Sequence, residues 1–206
     1  LMFLGAVAMR GAGCTLNDIV DADLDARVER TRSRPIPSGQ VSRRQAAVFP
    51  ALQALVGAVI LFQFNFTTVL LGVLSLVLVA IYPFMKRITW WPQLFLGLAF
   101  SWGALVGWTA EMGQIGLPAL LLYAGSVLWV IGYDTIYALQ DVDDDALIGI
   151  RSTARLFGDR VKPAVAGFYA GGYVLWMAAA LLVGAGWVTL AGSVMVIAIL
   201  GWQVAT

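Results

Sequence analysis

Long apolar runs leave this chain very few folds. Stretches near 46–64, 67–85, 92–110, 117–139, 163–183 and 186–206 are almost free of charge, and each approaches the roughly 20 residues a helix needs to cross a bilayer. A partial helix over 1–16 precedes them. In hydrocarbon every backbone donor and acceptor must be satisfied internally, so only helices and closed barrels span. Barrel strands are shorter and alternate lipid-facing with lumen-facing residues; these runs are too long and do not alternate. Of the 206 residues 60% are hydrophobic and only 12% charged, an excess over soluble domains that reads as lipid-facing surface. The expected fold is therefore all-α: a polytopic transmembrane helical bundle, organised as a single domain over 1–206. The chain opens in mid-helix on LMFLGAVAM and stops inside the apolar run AILGWQVAT, so we expect it to be truncated at both ends.

Composition also removes whole classes of chemistry. A net charge of +1 offers no basic field for nucleic acid. The one cysteine, Cys14, cannot close an internal disulfide. Histidine is absent, which eliminates the usual general base, the usual zinc ligand and any Ser-His or Cys-His nucleophile pair. What remains is carboxylate, Arg, Lys, Tyr or a metal ion.

The charges are not scattered. Arg10, Arg27, Arg30, Arg32, Arg34, Arg43 and Arg44 surround an acidic stretch that begins at Asn17. Lys86 and Arg87 follow the 67–85 helix, and Arg151, Arg155, Arg160 and Lys162 follow a second acidic stretch that begins at Tyr133. The intervening connections, QFNFT, EMGQIG and VGAGW, carry no Lys or Arg. Four expected crossings separate the two acidic stretches, an even number, so both share one membrane face. By the positive-inside rule that face is cytoplasmic.

Within the first stretch Asn17, Asp21 and Asp25 follow i, i+4, i+8, with Asp18 leading to Asp21 and Asp25 at i+3 and i+7. If the helix continues here, these groups share a face. In the second stretch Asp141 and Asp145 are again i, i+4, with Tyr137 and Asp134 one and two turns earlier. Carboxylates so close repel one another and are costly beside hydrocarbon. A hard divalent cation offsets them: Mg²⁺ typically takes one or two carboxylates plus substrate phosphates. Two such sets can hold Mg²⁺ on a diphosphate and make it a good leaving group, with Arg and Lys on the remaining oxygens. Asp23, Glu29, Asp143 and Asp159 read as solvated loop acids instead.

These residues carry a resemblance. NDIVDADLD, 17–25, resembles the N-D-x-x-D-x-x-x-D motif of the UbiA superfamily of intramembrane prenyltransferases, and RTRSRPIPSG, 30–39, continues the family pattern. DVDDD at 141–145 resembles its second aspartate-rich motif. YPFMKRITWWPQLFLG, 82–97, and YDTIYALQDVDDDALIGIRSTARLFG, 133–158, are similar to the 4-hydroxybenzoate polyprenyltransferase branch. The resemblance implies nine transmembrane helices, of which this chain would hold about six complete and part of the second. It implies an Mg²⁺-dependent transfer in ubiquinone biosynthesis. A polyprenyl diphosphate loses diphosphate to leave an allylic cation, and the ring of 4-hydroxybenzoate attacks ortho to its hydroxyl and then loses a proton. By the same resemblance Asp21 and Asp25 hold one Mg²⁺ and Asp141 and Asp145 another, with Asn17 and Asp18 supporting the first set.

Other site residues follow from position. Lys86, Arg87, Arg10 and Arg151 are candidates for diphosphate or for the acceptor carboxylate. Arg34, before Pro35, is read either as a phosphate ligand or as an ordering residue for its loop. Tyr133, Asp134 and Tyr137 enter the second motif, and Asp134 is a candidate to take the phenol proton or orient the acceptor. Phe62, Phe64, Trp102, Trp108 and Trp129 are conceivable linings for a cation; Gly97, Gly103 and Gly107 read as close helix contacts. The prenyl tail dissolves in the bilayer, and no protein partner is implied. The expected location is the bacterial inner membrane, with the mitochondrial inner membrane as the alternative. Two rival readings remain: a sister branch with another aromatic acceptor, and a transporter. A transporter places ionisable groups near the bilayer midplane, whereas eleven of the twelve acids here fall at one face, with Glu111 in a loop on the other.

Overall fold

A computed structural model describes residues 1–205. Among these there are ten α-helices and no strand. They are α1 (Met2–Asp25), α2 (Arg43–Leu61), α3 (Phe66–Ile88), α4 (Pro92–Ser101), α5 (Gly103–Met112), α6 (Leu117–Ala138), α7 (Val142–Ile148), α8 (Thr153–Phe157), α9 (Val161–Leu182) and α10 (Trp187–Ala205). Six segments are long and apolar enough to cross a membrane: α2, α3, α4 with α5, α6 with α7, α8 with α9, and α10. Four of them separate the two acidic stretches along the chain, as the sequence leads one to expect. The protein is an integral membrane protein, and its exposed side chains agree: Phe66 is 81% exposed and Trp187 79%, a surface suited to contact with lipid.

The chain divides into two compact units, Leu1–Pro83 and one that begins at Phe84, the boundary falling inside α3. In the first, α1 packs along α2. Small residues set the distance. A Cβ on Gly11 would lie 2.3 Å from the Gln53 amide nitrogen, and one on Gly57 would lie 2.5 Å from Met9 Sδ. Entry into α2 is fixed by a reciprocal cap. The Gln45 N–H donates to Ser42 Oγ, and the Ser42 N–H donates to Gln45 Oε1 at 3.0 Å.

In the second unit α6 is the central helix, packed on α9 and on α4. Where α6 meets α9 the backbones touch: a Cβ on Gly125 would lie 2.8 Å from the Gly172 carbonyl oxygen and 2.7 Å from Trp176 Cδ1. Val161, Val165, Tyr169 and Leu200 form the buried core beside this contact. Trp129 packs edge-on to Tyr133, with ring centroids 4.9 Å apart, and tilts against Trp176.

Several expectations need correction. The first helix does not end near 16 but runs to Asp25, so the acidic motif is helical throughout. The expected 92–110 helix is interrupted at Trp102. Glu111 belongs to the last turn of α5 and not to a loop. Asp141 and Asp145 do not share one helix: α6 ends at Ala138, a 3₁₀ turn covers Leu139–Asp141, and α7 starts after it. Of the three glycines read as packing contacts, Gly97 is one, with a Cβ there meeting the Val127 carbonyl oxygen at 3.0 Å, whereas Gly103 and Gly107 face open space. Gly107→Ala is therefore expected to leave stability unchanged or raise it by up to ~1 kcal/mol through helix propensity. Melting in detergent checks this.

Candidate active site

The first acidic set is built by α1 and the loop after it. With the helix intact to Asp25, Asp18, Asp21 and Asp25 lie along one face. They are not solvated loop acids: Asp21 is 1% exposed and Asp25 9%. Asn17 and Asp18 are half-buried beside them. The loop folds back as a run of tight turns, with Val28 N–H on the Asp25 carbonyl, Thr31 N–H on Val28 and Arg34 N–H on Thr31. Buried Thr31 donates its hydroxyl to the Asp25 carbonyl at 2.9 Å. This delivers Arg34 to the acids: its Nη1 donates to Asp18 Oδ1 at 3.0 Å and to Asp25 Oδ2 at 3.2 Å. These two bonds tie the loop to the carboxylates of α1. Arg43 makes a separate exposed pair with Asp23.

Burial holds the Asp18 carboxyl above its ordinary range; Asp25 and Asp21 add to this, and Arg34 opposes it. Arg34 thus does not by itself offset the burial of Asp18. Arg34→Gln leaves Asp18 and Asp25 without this partner. Because Arg34 is 38% exposed, solvent screens the loss, and we expect about 1 kcal/mol of destabilisation, read as a lower melting midpoint.

The second acidic set sits where α6 gives way to α7. Asp134 is half-buried in the last turns of α6. Asp141 precedes α7, and Asp145 lies one turn into it. The charges acting on Asp145 are Asp141, Lys86, Arg155 and Asp144. α7 closes on Gly149, whose φ of 76° is left-handed backbone suited to glycine. There Gly149 and Ile150 both donate N–H to the Asp145 carbonyl. Arg155 returns to the same place: its Nη1 donates to the Ile150 carbonyl and, at 3.3 Å, to that of Asp145. A cation at a helix C-terminus is favourable.

The other predicted residues are placed as follows. Arg151 donates Nη1 to the Ile88 carbonyl at 2.6 Å and its N–H to the Lys86 carbonyl. Arg151 and Arg155 both lie over the Trp90 ring, at 5.8 and 5.4 Å. Arg87 lies over Phe84. Tyr133 is engaged with Trp129, while Tyr137 is exposed at the end of α6. Arg10 is exposed on α1, two turns before Asn17. Trp102 packs edge-on to Tyr123, and Phe62 is 68% exposed. Sequence reasoning misses Thr31, Trp90, Gln93, Thr135 and Thr153, all polar or aromatic residues engaged around the two sets. The one available signal is the i, i+4 spacing of Arg151 and Arg155.

Among the described residues no group of three or more acidic or sulfur ligands is arranged to enclose a metal ion. The acidic side chains of both sets offer hard carboxylate oxygens, which fit Mg²⁺, an ion that keeps few protein ligands and completes its shell with water and phosphate.

The UbiA prenyltransferase family model matches residues 1–206. The chain belongs to the UbiA prenyltransferase family. Relatives named 4-hydroxybenzoate polyprenyltransferase, mitochondrial, include one from Drosophila pseudoobscura pseudoobscura, 55% identical over 167 residues, covering 81% of this chain and 42% of the relative. The Arabidopsis thaliana relative of that name is 46% identical over 98% of this chain and 50% of its own. The Homo sapiens relative is 50% identical over 80% of this chain and 44% of its own. This UbiA family chain thus spans half or less of the length of these curated relatives. Among solved structures, the apo UbiA homolog from Aeropyrum pernix K1 superposes with a TM-score of 0.87 at 28% identity, covering 99% of this chain and 78% of that one. An Archaeoglobus fulgidus UbiA homolog bound to GPP and Mg²⁺ shares the fold, with a TM-score of 0.75 at 17% identity over 98% of this chain and 74% of that one.

Proposed function

We propose that this protein transfers a polyprenyl group from polyprenyl diphosphate to the 3-position of 4-hydroxybenzoate, releasing diphosphate, as a step of ubiquinone synthesis. The observation that carries the reading is the 46–55% identity to relatives bearing that name, joined to a helix that buries two aspartates, Asp21 and Asp25, with half-buried Asp18 beside them. Bound Mg²⁺ would supply charge neutralisation on the departing diphosphate. Asp21 and Asp25 would hold it in the first set, with Asn17 and Asp18 in support, and Asp141 and Asp145 in the second.

The remaining roles fall to groups of this chain. Arg34 orders the first carboxylates. Arg155, and Lys86 beside Asp145, supply positive charge near the second set. Arg10, Arg87 and Arg151 are further candidates for diphosphate or for the acceptor carboxylate. Asp134, half-buried just before the second set, is the group we assign to orient the phenol or take its proton; Tyr133 and Tyr137 flank it on α6. Apolar surroundings exclude water, which would otherwise quench an allylic cation. The chain acts as one transmembrane domain, in an inner membrane of bacterial or mitochondrial type.

The test supplies full-length protein in detergent with labelled 4-hydroxybenzoate and a polyprenyl diphosphate, with Mg²⁺ or EDTA. Mg²⁺-dependent prenylated hydroxybenzoate is the expected result. Product only with a naphthoate or homogentisate would move the protein to a sister branch. No transfer to any acceptor, with cation flux in proteoliposomes, would replace the enzyme with a transporter. Within the same assay Asp134→Asn is expected to lower turnover at least tenfold while protein yield and melting stay unchanged.

A further inference from the structure

Three buried polar side chains, one each from α4, α6 and α8, are joined by hydrogen bonds. Gln93 is 4% exposed, and Thr135 and Thr153 are each 0%. Gln93 Oε1 accepts the Thr153 N–H at 3.1 Å. Thr135 donates its hydroxyl to the Ile131 carbonyl at 2.6 Å. Its one proton is thereby used, so in the 2.6 Å contact between Thr135 Oγ1 and Thr153 Oγ1 the donor must be Thr153. Every link of this chain has a defined direction, and buried polar groups that lose such partners are strongly penalised.

The chain ties down one short segment. Thr153 lies between Arg151 and Arg155. Arg151 is fastened to the Lys86 and Ile88 carbonyls, and Arg155 reaches back to the closing carbonyls of α7. Both arginines share the Trp90 face. Thr135 is also the neighbour of Asp134 on α6. One network therefore fixes the exit of α7, the Arg155 guanidinium and the turn of α6 that carries Asp134.

We propose that Gln93, Thr153 and Thr135 form a positioning device that holds α7 and Arg155 in the one geometry able to receive a metal–diphosphate. The proposal rests on the prenyltransferase reading of this site. It assigns these residues no contact with substrate.

The experiment uses the full-length protein and the near-isosteric variants Gln93→Met and Thr135→Val, with Thr135→Ser as the conservative partner. Three quantities are read: the KM for polyprenyl diphosphate, the KM for the aromatic acceptor, and the rise in melting midpoint on adding Mg²⁺ with inorganic diphosphate. Gln93→Met and Thr135→Val are expected to raise the donor KM about tenfold and to halve the Mg²⁺–diphosphate stabilisation. The acceptor KM should stay within about twofold, and Thr135→Ser should restore both donor readouts. Unchanged donor KM and stabilisation would overturn the proposal. So would a uniform loss of all three readouts in step with a lower metal-free melting midpoint, which marks an ordinary structural network. If wild-type protein fails to transfer to any acceptor, the prenyltransferase reading falls, and the Mg²⁺–diphosphate stabilisation still decides the positioning role.

Discussion

Asp21→Asn and Asp141→Asn should each reduce prenyl transfer on the order of a thousandfold, the scale on which one preorganised charge-stabilising group acts in a dry site. The two substitutions are matched tests, because they touch different sets. Asp21 is the deepest of the first carboxylates, at 1% exposure. Asn keeps its shape and removes its charge, so activity should collapse while the protein still folds. An acid needed only for folding would instead lower yield and melting midpoint in step with activity. Steady-state turnover and detergent melting, measured on the same preparations, give the two readouts. Asp143→Asn serves as the control: this exposed acid should change turnover by less than about twofold, as surface substitutions generally do.

Gly125→Leu should have the largest effect on stability of any single change in the second unit. Even the first carbon of a side chain there meets the Gly172 carbonyl oxygen at 2.8 Å and Trp176 at 2.7 Å. The tryptophan can turn; the backbone cannot. Its indole N–H also donates to Ser126 Oγ at 3.2 Å, so turning it forfeits that bond. Leu must push α6 and α9 apart, and these are the most extensively packed pair in the unit. Overpacking typically costs 1–3 kcal/mol, and we expect at least about 3 kcal/mol here, because a backbone contact leaves no room to relax. Yield of folded protein and melting midpoint are the measurements. Gly125→Ala should fall between wild type and Leu.

What could be read without coordinates was what composition and charge dictate. Six spans follow from apolar length. Continuation of α1 through the first motif was conditional in the sequence and is realised, because Asp18, Asp21 and Asp25 suit one helical face. The second motif was misread for a physical reason: Asp141 and Asp145 keep the i, i+4 spacing whether or not the helix is broken between them. Gly97 and Gly107 look alike as letters, yet only Gly97 meets a neighbouring backbone. Arg34 reaches Asp18 across sixteen residues through a loop of successive turns. Thr153 reaches Gln93 across sixty. Neither contact has a periodicity that a sequence can display.

The central claim is Mg²⁺-dependent transfer of a polyprenyl group to 4-hydroxybenzoate that needs the carboxylates of both acidic sets. Turnover of the full-length protein with labelled 4-hydroxybenzoate and a polyprenyl diphosphate, in Mg²⁺ or in EDTA, tests it most directly on wild type, Asp21→Asn and Asp141→Asn. The expected result is product that forms only with Mg²⁺ and is lost in both variants. Product that persists in EDTA, or that either folded variant makes at the wild-type rate, would contradict it.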